Sequence, residues 1–287
     1  MADDGKIRFN LIHLIVIVGC VLFAIGLLLP ARRYREPANR IKCSSNLRQI
    51  GLAMKMYANG ETRTMSFPRT RWSPETADRP VFFTRPSATQ PFADDGPLPN
   101  DVTAAMFLVL RTQEITADVF LCPDDKSAGE RFTVPAGKTI QSFSNFTAQN
   151  QLSYSMQNPY PTKAAYDAGF KWNDEMNADF AIMADKNPGV GDILKVSFTD
   201  SGTEQQKTNS LDHYRAGQNV LYADGHVDWS VSPWAGANQN HIYGHDRVDA
   251  AAATQPASPP LTPIGIVGPP GGPIDSVLLP TAETKVP

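Results

Sequence analysis

Among the residues able to do chemistry, His213, Asp224 and His226, with Asp185 upstream, could assemble a metal centre. Neutral imidazoles and a carboxylate around a zinc-class ion, with one position left open, would activate water for hydrolysis. The same stretch has a plainer explanation. Asp224-Gly225 is a preferred pair for a two-residue type I′ hairpin turn, so backbone geometry accounts for both residues, and no H-E-x-x-H or G-x-S-x-G pattern accompanies them. A second chemistry would use Asp124, Asp125 and Asp185 as oxygen ligands of a structural calcium ion. Calcium takes roughly six to eight oxygens, and no loop here carries ligands at that density. No cofactor is therefore expected, calcium being the alternative left open. His213, His241 and His245 are expected as polar surface histidines. The 3 cysteines include no C-x-x-C pair, which excludes a zinc ribbon and a thioredoxin-type dithiol and leaves room for at most one intrachain disulfide.

The elements that would position these residues follow from periodicity. Cys43, Leu47, Ile50, Met54 and Tyr57 recur at alternating spacings of four and three, which predicts an amphipathic helix over Asn39 to Ala58. A second helix is expected from Asp101 to Arg111, capped by Asn100, with Ala105, Met106 and Val109 inward. Thr62 to Pro99 has the Pro, Arg and Asp content of a long surface loop. Strands are expected at Leu152 to Met156, Phe180 to Ala184, Ile193 to Phe198, Val220 to Ala223 and Val227 to Val231. Closing the Asp224-Gly225 turn pairs Tyr222 with Val227 and Val220 with Trp229 on one apolar face, leaving His226 and Asp228 on the other. Helices followed by strands predict an α+β body, a long helix packed on an antiparallel sheet.

Leu11 to Leu29 contains no Lys, Arg, Asp or Glu and ends at Pro30. At ~1.5 Å per residue it just spans a hydrocarbon core of roughly 30 Å, and no small-x-small site follows for signal-peptide cleavage, so an uncut transmembrane anchor is expected. Arg32, Arg33, Arg35, Arg40 and Lys42 follow the run while Lys6 and Arg8 precede it. Basic residues alone would thus hold the body in the cytoplasm. With 26 Lys and Arg against 29 Asp and Glu, a formal charge of -3, the chain has no basic field for nucleic acid. Charged residues are only 19%, with 24 Pro and 20 Gly, so much of the chain is loop. From Ala250 it becomes Ala-, Pro- and Gly-rich without periodicity, which predicts a disordered tail.

Several pieces resemble, in order, the bacterial prepilin-type family named for an H-x9-D-G motif and related to the pseudopilins of type II secretion. Arg8-Phe9 to His13 stands where that family has Gly-Phe-Thr-Leu-Ile-Glu. Cys43-Ser-Ser-Asn46-Leu47-Arg-Gln49-Ile-Gly51-Leu-Ala53 resembles its C-x-x-N-L-[KR]-Q-I-G-L-A helix. Phe67-Pro68, Leu121-Cys122-Pro123-Asp124, Ala181 to Asp185, and His213 with Asn219, Asp224 and Gly225 resemble its later segments. The family's peptidase cuts after Gly, where this chain has Arg8, and the Glu after the cut is replaced by His13. Ten residues separate His213 from Asp224, one more than the motif. The resemblance implies a pilin-like structural or interaction protein, not an enzyme: an uncut anchor over 1–35, an extracytoplasmic body over 36–249 and a tail over 250–287. It implies a single-pass inner-membrane location, with lipid along Leu11 to Leu29 and proteins of a secretion or pilus-like assembly as partners. In that compartment Cys43, on the buried stripe, and Cys122, after the apolar Val119-Phe-Leu, can form a disulfide, two separately buried thiols being the alternative.

Overall fold

The computed structural model describes residues 10–33, 35–61, 63–245 and 262–282, with side chains of α1 described through Gly26. The chain divides into two compact units, Met1–Asn39 and Arg40–Pro287. The first holds helix α1 (Leu11–Arg33), whose large apolar side chains from Leu11 to Ile25 are exposed. Among the described residues, no helix is long and apolar enough to cross a membrane.

Helix α2 (Arg35–Gly60) begins four residues earlier than periodicity predicts and runs through the unit boundary. The larger unit is α+β. Its sheet holds β1 (Tyr154–Gln157), β2 (Ala181–Asp185), β3 (Gln218–Tyr222), β4 (Val227–Ser230) and β5 (Leu278–Leu279), all antiparallel, in the order β4-β3-β2-β1-β5. Tyr154, Met156, Met183, Leu221 and Val227 share one core with Cys43, Leu47, Ile50 and Met54 of α2. Gly51 permits this approach, since a Cβ there would lie 2.8 Å from Leu221 Cδ1. Ala181, Ala184, Val220 and Leu278 form a second core with Ile193, Ile242 and Tyr243. A sheet buried on both faces explains why alternation along these strands is weak.

Helix α3 (Val102–Thr112) is buried almost all round, and its cap is Asp101 rather than Asn100. One Asp101 oxygen accepts from Ala104 N (2.9 Å) and Thr103 Oγ1; the other takes Thr84 N, Thr84 Oγ1 and Asn145 Nδ2. That carboxylate ties the long loop ahead of α3 to the core. Burial pushes its pKa up, although the hydrogen bonds pull the other way. Helices α4 (Lys163–Asp167) and α5 (Gly202–Gln206) are short connectors.

Three expectations are corrected. Ile193 to Phe198 is not a strand: Gly191–Leu194 is a 3-10 turn that sends Ile193 into the second core. The hairpin is not type I′. Tyr222 N donates to His226 O and Gly225 N to Tyr222 O, and only Gly225 of the loop has positive φ, +97°. This is a three-residue loop with glycine in the left-handed position, which shifts the register by one. Leu221 therefore faces Val227 and Asn219 faces Trp229, so Val220 and Tyr222 turn to the opposite face from Val227 and Trp229. Last, the expected disordered tail contributes β5, paired to β1, with Val277, Leu278 and Leu279 fully buried. Residues 250–261 and 283–287 of that tail lie outside the described residues.

Candidate functional site

The helical spacing of Cys43 and Asn46 places both on the sheet-facing stripe of α2. Cys43 is joined to Cys122 by a disulfide, with Cα atoms 5.3 Å apart. Asn46 Nδ2 donates to the neighbouring Leu121 O (2.9 Å) and to Tyr154 Oη (3.1 Å). Two side chains of one helical turn thus grip one segment, which gives the Cys-x-x-Asn and Leu-Cys-Pro-Asp pieces a shared physical purpose. Leu47 and Gly51 are buried beside them, whereas Gln49 is exposed and bonds back to Ser45.

On the sheet beneath, Tyr154 pairs with Asp185 and Asn219 with Trp229, so Tyr154, Asp185, Asn219 and Trp229 share the helix-facing side. Asp185 Oδ2 accepts from Asn219 N (2.6 Å) and Asn219 Nδ2 (3.0 Å). Its Oδ1 is buried without a hydrogen-bond partner. Burial pushes Asp185 up to about 6, although His213 and both Asn219 bonds oppose the shift.

His213 enters between these two layers. Its backbone, with those of Tyr214 and Arg215, has positive φ (52°, 57° and 61°), a left-handed turn that non-glycine residues adopt only under surrounding constraint. Asn209 Nδ2 supplies part of that constraint by donating to Arg215 O and Val231 O. The imidazole is fully buried, with Nδ1 2.9 Å from Asp124 Oδ2 and Nε2 3.6 Å from Asp185 Oδ2. Nε2 also lies 3.7 Å from Cys122 Sγ, and the ring meets Trp229 edge to face at 5.5 Å. The Arg40 guanidinium lies over the Trp229 ring, 3.5 Å from its centroid. Beside this cluster, Lys186 Nζ and Asp125 Oδ2 form a buried ion pair at 3.0 Å. Burial alone would raise Asp125; the Lys186 ammonium and Ser127 hydroxyl outweigh it and hold the carboxyl low.

The four metal candidates separate. Asp185 meets His213, but Asp224 and His226 sit exposed at the hairpin tip, bonded to each other, with His226 stacked on Tyr222 at 4.4 Å. The calcium trio divides as well: Asp124 and Asp185 take opposite nitrogens of His213, and Asp125 takes Lys186. His213 and His241 are core residues, correcting the expectation of surface histidines. Pro123 is exposed, Asn219 buried, and Gly225 serves the turn. His13 lies exposed in α1, accepting from Asn10 N, and Phe9 lies outside the described residues. The Asp124–His213 pair was hidden by separation in sequence; its one signal is that Asp124 follows the cysteine anchored to α2.

Residues 32–205 match the model of a family described as a protein of unknown function (DUF1559; SBP_bac_10), and the chain belongs to that family. The matched span holds Cys43, Asn46, Cys122, Asp124 and Asp185 and stops before His213 and the hairpin. No curated protein and no solved structure matches the chain.

Proposed function

We propose that this protein is a membrane-tethered, pseudopilin-like structural or interaction component, with its body outside the cytoplasm and its anchor left uncut by a prepilin peptidase. One observation carries the reading. The motif residues Cys43, Asn46, Cys122, Asp185, His213 and Asn219 are buried and spent on one another, fastening α2 to the sheet. Residues used this way serve a scaffold. The disulfide favours an oxidising compartment, against the orientation that the arginines after the anchor would give. Leu11 to Leu29, unbroken in sequence, is the segment that would meet lipid, and the exposed apolar side chains of α1 need such a covering. His13 and Arg8, in place of the prepilin Glu and Gly, favour an anchor that stays whole. The body would then offer its surface to proteins of a secretion- or pilus-like assembly.

Protease treatment of sealed inner-membrane vesicles of known sidedness tests the location. The body should be protected in inverted vesicles and resist alkaline extraction, and thiol counting in denaturant without reductant should find Cys20 alone. Digestion of the body in inverted vesicles with three free thiols would reverse the orientation, and a mature end at Phe9 would restore prepilin processing.

A further inference from the structure

We propose that the reduced form of this protein carries a buried zinc site made by Cys43, Cys122, His213 and Asp185, which the Cys43–Cys122 disulfide closes. The ligand atoms of these four residues all lie within 4.8 Å of one another. A tetrahedral zinc ion with thiolate bonds of about 2.3 Å and nitrogen or oxygen bonds of about 2.0 Å needs ligand separations of roughly 3.3 to 3.8 Å. His213 Nε2 already stands 3.7 Å from Cys122 Sγ and 3.6 Å from Asp185 Oδ2. The surroundings are those of a metal-binding histidine: Asp124 holds Nδ1 at 2.9 Å, which presents Nε2 to the ion, as a carboxylate behind a ligating imidazole does. Asn219 fixes Asp185 through Oδ2, and the buried Oδ1 has no hydrogen-bond partner. A buried carboxylate with one oxygen unbonded is costly, and a cation beside Oδ2, the oxygen 3.6 Å from Nε2, would offset the charge of the whole group.

The two states exclude one another because each sulfur can serve only one of them. A dithiol reductant passes two electrons to the Cys43–Cys122 bond and is itself oxidised to a disulfide. The bond breaks to give two thiols, and their protons leave to solvent as zinc takes the thiolates. Reoxidation by a disulfide-bearing oxidant reverses both steps and expels the ion. The site differs from a hydrolytic centre in that no open position and no hairpin residue take part.

The test uses the full chain in detergent, carrying Cys20→Ser so that only two sulfurs can respond. It is reduced without oxygen, incubated with zinc alone and freed of excess metal. The reduced chain should retain one zinc per molecule and the oxidised chain less than about a tenth of that. Cobalt in place of zinc should give thiolate-to-metal charge-transfer bands and the strong visible bands of a tetrahedral site. His213→Gln and Asp185→Asn should each weaken zinc at least ~10-fold, Asp124→Asn by about tenfold as a positioning residue, and His226→Gln not at all. Equal zinc in both redox states, no zinc in the reduced chain, or unchanged affinity in both ligand variants would overturn the proposal. Should those variants fold poorly, the thermal midpoint of the reduced parent chain decides: zinc should raise it, and an unchanged midpoint would sink the site.

Discussion

A histidine that resists protonation where it sits makes a protein sensitive to acid, and His241 is such a residue. It is fully buried, its Nδ1 accepts from Tyr243 N (3.2 Å), and Trp234 stands against its ring at 4.8 Å. Burial lowers its pKa to about 3, so between pH 6.5 and 3 the unfolded chain takes up a proton that the folded chain refuses. Stability from this residue is complete above pH 6.5 and is lost as pH falls, by at most about 5 kcal/mol. Asp101, Asp185 and Asp212 act with the opposite sign: burial raises each, so their folded forms keep protons longer and stability declines as pH rises through their range. In His241→Asn, whose amide oxygen can still accept from Tyr243, the fall of the urea midpoint between pH 6.5 and 4 should be clearly shallower than in the parent. An unchanged slope would show that another group governs the acid limb.

Elements bear out a division between what repeats locally and what is set by distant partners. The α2 stripe was legible because Cys43, Leu47, Ile50 and Met54 recur at helical spacing and all are buried. Four of the five expected strands are present within a residue or two, because each is a short β-prone run between breakers. Ile193 to Phe198 misled because one buried isoleucine, not alternation, is what the fold uses there. The hairpin register was lost to one loop residue, a choice between two turns that Asp-Gly serves equally well. His213 and Asp185 could be grouped from the sequence, but Asp124 could not be placed against His213, since it arrives from a distant segment beside the disulfide. Gly225, at φ +97°, supports a direct test: Gly225→Val should cost more than about 1 kcal/mol in chemical denaturation. Exposed Asp228→Ala should stay within about 0.5 kcal/mol. Equal losses would remove the left-handed loop from the account.

At the scale of the whole molecule, the C-terminal segment is structural. Val277 N donates to Gln157 Oε1, Asn158 Nδ2 to Gly268 O, and Ser155 Oγ to Pro280 O, all buried. Ending the chain at residue 261 should lower the thermal midpoint by more than 10 °C or leave the protein insoluble, because β1 loses its cover and a row of buried polar groups loses partners. A midpoint within 2 °C of the parent would mean that β5 adds nothing. The disulfide works at the same scale, its sulfurs bridging positions 79 residues apart and contributing roughly 4 kcal/mol on the chain-entropy model.

The position of β5 also sets a schedule. Its partner strand is synthesised well ahead of it, as the 120 residues between Gln157 and Val277 show. At about 5 to 20 residues per second the ribosome needs about 6 to 24 s to cover that distance. For that interval β1 is an open edge, able to pair with another chain but not yet with β5. The last described strand to be made is thus the one that covers this edge, and a nascent chain of this protein stays unfinished, and dependent on whatever shields it, until β5 has emerged.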